Sequence, residues 1–170
     1  GMEYPMIIFC ASSDREGLFM VTDHEVAHNW FPMLINTDER RHAWMDEGFN
    51  TFVNGYSQLA FLGRKSRRGL LQPLVDDMAT DDTQPIAIRH DLAADNTRYL
   101  FYRKPARGMF LLREYILGPE RFDHAFQSYL QRWSFKSPQP ADFYRCMEDA
   151  SGADLSWFWR GWFQTTARLD

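Results

Sequence analysis

Apolar residues recur along most of this chain at helical intervals, and the one clear exception comes first. Met6, Ile7, Ile8, Phe9 and Cys10 form a continuous apolar run after Pro5, short enough for a strand. Ser13 and Glu16 then stand at capping-box spacing, and Phe19, Ala27, Trp30 and Phe31 repeat at helical intervals up to Pro32, which predicts a first helix over 14–31. A second helix is marked by Met45, Phe49, Phe52, Val53, Tyr56, Leu59 and Ala60; its polar side carries Glu47, Asn50 and Asn54, and it ends near Gly63. Leu70, Leu71, Leu74, Val75 and Met78 suggest a third.

From 80 to 98 the helical period disappears among Asp, Thr and Gln residues, leaving a long connection of the kind that often walls a substrate cleft. Pro105 suits the first turn of a fourth helix that runs to the stop at Gly118 and Pro119. Phe122, Phe126, Tyr129 and Trp133 stripe a fifth, and shorter helices follow over 142–150 and 155–163. The pattern is mainly α, with at most a short strand near the N-terminus, in one domain over 1–170 without internal repeats.

Composition narrows the function classes. The 170 residues are long enough for one domain with a real core, and 45% are hydrophobic and 16% aromatic. A net charge of −4 offers no basic field for phosphate, so neither nucleic acid nor a membrane surface is an expected partner. No apolar stretch is long enough to span a bilayer, and localisation stays open. Cys10 and Cys146 lack paired spacing and read as small core residues rather than a disulfide or a cysteine metal site.

The chemistry concentrates at 24–28, which read HEVAH inside the first helix. Positions four apart on a helix are separated by about 40° and about 6 Å, so His24 and His28 project from one face and can meet one ion. Catalytic zinc typically takes three protein ligands and leaves one position for water. Glu47 follows His28 after eighteen intervening residues, and Pro32 with the polar stretch after it lets the chain reverse so that Glu47 completes a His, His, Glu set. Glu25 points about 100° away from His24, beside the water and not at the metal, and is the expected general base. A structural zinc site would normally be closed by four ligands and rich in cysteine; three ligands are found here. His42, His90 and His124 lack ligand spacing.

The segments HEVAHNWFP and HAWMDEGFNTFV resemble the aminopeptidase N family of gluzincins, zinc metallopeptidases that also include the leukotriene hydrolase-type epoxide hydrolase. That family pairs HExxH with a Glu eighteen residues later in a W-x-N-E-G-F context, where this chain has Trp44-Met45-Asp46-Glu47-Gly48-Phe49, with Asp46 in place of asparagine beside the ligand. Gly1-Met2-Glu3-Tyr4 looks like the family's G-x-M-E-N signature, so the resemblance gives Glu3 the substrate's free amino group, with Tyr4 replacing asparagine. Tyr102-Arg103-Lys104-Pro105 corresponds to Y-x-K-G ahead of a helix, and the resemblance makes Tyr102 the oxyanion donor, with Tyr99 as its rival and Pro105 replacing glycine. Ser151 to Phe158 echoes the end of the family's catalytic domain.

The resemblance implies the helical part of a thermolysin-like gluzincin catalytic domain, with the family's further domains missing from this chain. It also implies a zinc-dependent aminopeptidase holding one zinc ion and acting on peptides with a free N-terminus. A catalytically weak peptide-binding module, a zinc endopeptidase and an epoxide hydrolase are the alternatives. Trp157, Trp159, Trp162 and Phe163 are expected to pack internally.

Overall fold

A computed structural model describes residues 1–63, 84–93 and 97–166. The chain is mainly helical, and its N-terminal apolar run supplies one of two short strands. β1 (Met2–Tyr4) and β2 (Ile7–Phe9) pair antiparallel with Glu3 opposite Ile8. Period-two alternation turns Glu3 and Ile8 to the more protected face, while Met2, Tyr4, Ile7 and Phe9 stay exposed. The pairing therefore aims the Glu3 carboxylate inward.

The first helix, α1 (Arg15–Ala27), starts one residue later than expected and ends earlier than its expected stop. Asp14 caps it instead of Ser13, accepting from the Gly17 amide at 2.8 Å. After Ala27 the chain widens into the segment Asn29–Leu34, in which Phe31 is extended at φ −131 and ψ 109. A residue before proline is pushed out of the α region, so Pro32 acts on Phe31 and the regular helix closes before it.

The second helical span begins as a wide π turn at Trp44–Gly48 and continues as α2 (Phe49–Phe61). α3 (Lys104–Leu111) is flanked by wide turns at Arg98–Arg103 and Leu112–Ile116, so Tyr102 sits within a helical turn and not in a loop ahead of one. α4 (Pro119–Trp133) and α5 (Pro140–Ser151) form the last long pair; α6 (Ser156–Phe158) runs on as the turn Trp159–Gln164. The helix expected around Leu70 to Met78 lies outside the described residues, as does part of the long connection after it. Of that connection, Arg89, His90, Asp91, Thr97 and Arg98 do line a cleft. No helix among the described residues is long and apolar enough to cross a membrane.

The core is built of rings. Trp44, Phe49, Tyr129, Phe143, Phe158 and Phe163 are fully buried. Phe49 and Phe143 lie 4.7 Å apart between centroids, Trp44 and Phe163 4.8 Å, and Tyr144 and Trp159 4.8 Å. Such pairs add about 0.5–1.5 kcal/mol each beyond the area they bury. Trp159, Trp162 and Phe163 pack inward as expected, whereas Trp157 is exposed. Cys146 is buried and Cys10 only half-buried, so the reading of both as core residues holds for one.

Candidate metal centre

α1 places the His24 and His28 rings one turn apart, edge to face at 4.7 Å between centroids. The wide turn Trp44–Gly48 brings Glu47 to both. His24 Nε2 lies 3.2 Å from His28 Nε2, and Glu47 Oε2 lies 3.1 Å from the first and 3.5 Å from the second. Tetrahedral zinc with ligand bonds of about 2.0–2.1 Å separates its ligands by roughly 3.3 Å. The three atoms therefore stand at the spacing of three corners of a zinc tetrahedron.

Each imidazole is turned by a partner at its other nitrogen. His24 Nδ1 meets Asn54 Oδ1 at 2.9 Å; Asn54 Nδ2 donates to Asp23 Oδ2 at 2.9 Å, and Ser57 Oγ donates to the same oxygen. His28 Nδ1 donates to the Phe31 carbonyl at 2.6 Å, which the extended Phe31 backbone makes available. Asp46 Oδ1 stands 2.8 Å from that same nitrogen without a directed hydrogen bond. With Nδ1 engaged outward on both rings, both Nε2 atoms face Glu47 and each other; without an ion they hydrogen-bond to Glu47, and a bound ion would take their lone pairs in place of those protons. Asn50 adds a bond from Nδ2 to the His24 carbonyl at 2.9 Å.

Charge behaves accordingly. Burial pulls the His28 ring down, but its contacts with Asp46 and Glu47 outweigh that and push it up to about 11. Burial works in the opposite direction on Glu47, where hydrogen bonds from His24, His28 and Tyr102 win and hold it at about 2. Asp46 is raised to about 7 by burial, against the pull of His28. The pocket thus draws positive charge to the point where the three candidate ligand atoms converge.

The remaining expected residues gather around this point. Glu25 is buried, its Oε2 has no hydrogen-bond partner among the described residues, and burial raises its pKa against the lowering influence of His24 and His28. Glu3 Oε2 reaches to 3.8 Å of His28 Nε2, and oxygens of Glu3 and Glu25 with a nitrogen of His28 all lie within 4.8 Å of one another. The Tyr102 hydroxyl donates to Glu47 Oε1 at 2.6 Å, and burial together with the Glu47 charge raises its pKa. Tyr99 is buried in the core, so of the two tyrosines only Tyr102 reaches the site.

Two glycines make the close approaches possible. A Cβ on Gly1 would run into the Glu25 carboxylate, and one on Gly48 would lie 2.6 Å from Pro105 Cγ. The Pro105 ring thus packs on the glycine that follows Glu47 and ties the Tyr102 segment to the Glu47 turn. Sequence reasoning puts Asn50 and Asn54 on the polar side of α2 but misses that both serve His24. Their spacing of three and seven from Glu47, one helical face, carries that signal. Nothing in the sequence points to the Phe31 carbonyl as the partner of His28.

Around the cluster opens a cleft of about 1560 Å³, lined on its acidic side by Glu3, Glu25, Asp46 and Glu47.

A model of the peptidase family M1 domain matches residues 6–162. Among curated relatives, glutamyl aminopeptidase of Sus scrofa is 28% identical over 149 residues, covering 83% of this chain and 16% of the relative. Aminopeptidase M1-C of Oryza sativa subsp. japonica is 26% identical over 151 residues, covering 84% and 17%. The chain therefore spans about a sixth of the length of these relatives. A mutant M1 zinc metallopeptidase from Deinococcus radiodurans, bound to a Tyr-Ser-Ala substrate, shares the fold with a TM-score of 0.71 at 19% identity, over 99% of this chain and 39% of that one.

Proposed function

The chain belongs to peptidase family M1, and from that premise we propose that it is the zinc-binding catalytic segment of an aminopeptidase that hydrolyses N-terminal peptide bonds. The observation that carries this reading is the trio His24 Nε2, His28 Nε2 and Glu47 Oε2, 3.1–3.5 Å apart. The donor set suits zinc, and the ion held there would act as a Lewis acid and lower the pKa of water toward about 7.

The chain's own groups supply the rest. Glu3, within 3.8 Å of His28 on the protected face of the hairpin, receives the substrate's ammonium group and fixes which peptide bond reaches the cluster. Glu25 takes one proton from the attacking water at its unpartnered oxygen and returns it to the departing amine nitrogen. Its raised pKa suits a group that both accepts and releases a proton. Tyr102, kept protonated by burial and by Glu47, donates to the carbonyl oxygen as that carbon becomes tetrahedral. The names of the curated relatives, two aminopeptidases, and the peptide bound to the solved neighbour support this substrate class.

The test is hydrolysis of alanyl p-nitroanilide by the intact protein loaded with zinc. Activity is expected to vanish on chelation by phenanthroline and to return with zinc; hydrolysis that survives chelation refutes the reading. Equal cleavage of free and N-acetylated peptides would assign an endopeptidase instead, because an acetylated terminus offers Glu3 no charge.

A further inference from the structure

The cleft changes sign between its floor and its mouth. Its buried lining carries Glu25 at 4% and Asp46 at 2% exposed, with Arg107 at 5% the buried cation beside them. The exposed Glu39 reaches this cluster from the surface, with oxygens of Glu3, Glu39 and Asp46 all within 4.8 Å of one another. The mouth is lined by arginines. Two of them are neutralised locally, Arg41 by Asp38 at 3.5 Å and Arg89 by Asp91 at 2.7 Å. Arg40, Arg98 and Arg103 also line the cleft, are exposed, and form no ion pair with any described residue.

The wide turn Arg98–Arg103 explains the placement of two of the three. In a π turn, residues five apart stack along the axis, so Arg98 and Arg103 share a side of the same turn that delivers Tyr102 to Glu47. Each guanidinium lining the cleft is a planar fork suited to a carboxylate. The arginines without an ion pair offer their charge further along the peptide, where it leaves the floor for the mouth.

We propose that this cleft selects peptides bearing a carboxylate downstream of the bond to be cut, bound by Arg98 and Arg103, with Arg40 a further cation of the same lining. The inference rests on the aminopeptidase reading above and adds a substrate class to it. The carboxylate could be the free C-terminus of a short peptide or an Asp or Glu side chain, and the chemistry of recognition is the same.

The experiment measures kcat/KM of the zinc-loaded intact protein on two pairs. Ala-Ala-Ala is compared with its C-terminal amide, and Ala-Ala-Glu-amide with Ala-Ala-Gln-amide. In at least one pair the charged member is expected to be about fivefold better, the scale of an exposed charge pair or two. Which pair responds identifies the source. The preference should shrink toward unity in the Arg98→Gln, Arg103→Gln double variant. Independently of whether that variant folds, it should shrink in the unmodified protein as salt is raised toward about 1 M, where the Debye length falls to about 3 Å. Ratios near unity in both pairs, or a preference untouched by salt and by the double substitution, overturn the proposal. Alanyl p-nitroanilide separates the two levels of failure: if it is hydrolysed while both ratios are unity, only the proposal falls, and if it is not hydrolysed, the aminopeptidase reading falls and the proposal with it.

Discussion

The two ends of this molecule are held by opposite physics. Around α1 and the Trp44–Gly48 turn, groups that prefer water have been taken out of it: Glu25, His28, Asp46, Asn50 and Asn54 are all buried. Around α4, α5 and the C-terminal turns, the buried side chains are rings and aliphatics, among them Phe122, Phe126, Tyr129, Phe143, Met147 and Phe163. Burying ionisable groups costs stability unless they are paired, and like charges gathered at one point repel. The aromatic end buries mostly apolar area and no ionised group, at the smaller cost of the unpartnered Tyr129 and Tyr144 hydroxyls. The difference teaches that the site is tolerated because the other end of the fold supplies the stability it lacks.

Exchanging the effects of mutation between the ends is the strongest way to break this comparison. Glu25→Gln removes the proton acceptor, so kcat should fall about 10²–10⁴-fold while zinc content and melting temperature barely move. A large loss of stability in that variant would show that the acidic cluster also holds the fold. Phe143→Ala should do the reverse. Phe143 touches Trp44, Phe49, Tyr129, Tyr144 and Trp159, and its loss should cost about 3–5 kcal/mol in denaturant unfolding. The fraction still folded should bind zinc as before.

A smaller effect sharpens the comparison inside the site. Asn54→Ala releases His24 Nδ1, and zinc affinity should weaken about 10–100-fold by competition with a chelator, with the turnover of the loaded protein less affected. An unchanged affinity would mean that Asn50 and the packing of the ring suffice to orient it.

The mildest probe acts on the aromatic end through pH. Burial raises the pKa of Tyr129 and of Tyr144, and neither hydroxyl has a hydrogen-bond partner among the described residues. The folded state therefore holds these protons more tightly than the unfolded chain does. Their contribution is fully present below about pH 10, the ordinary tyrosine value, and declines as pH rises beyond it. Thermal melts followed by circular dichroism should show a falling midpoint above that pH, lessened in Tyr144→Phe.

Much of the site is legible in the amino-acid sequence because it is local. Two histidines and a glutamate between them lie within five residues of one helix, and helical geometry alone sets which pair shares a face. Glu47 is expected to join them from its spacing and from its place on the polar side of α2. Helix ends are less legible: Asp14 rather than Ser13 caps α1, since both can accept a bond and only the backbone path decides between them. The exposure of Trp157 escapes the sequence for a related reason, because helical period marks a face without saying what covers it.

The sequence by itself determined the family, the mainly helical class, the candidate ligand types and their order, since these follow from residue identity and from a backbone periodicity that reaches only one or two turns. Tertiary structure alone decided that Tyr102 and not Tyr99 meets Glu47, that the Phe31 carbonyl and Asn54 turn the two imidazoles, and that the cleft runs from buried carboxylates to exposed arginines. Those facts depend on distances between elements far apart in the chain. Such distances are set by how the wide turns and the aromatic core seat one helix against another, and no local pattern encodes them.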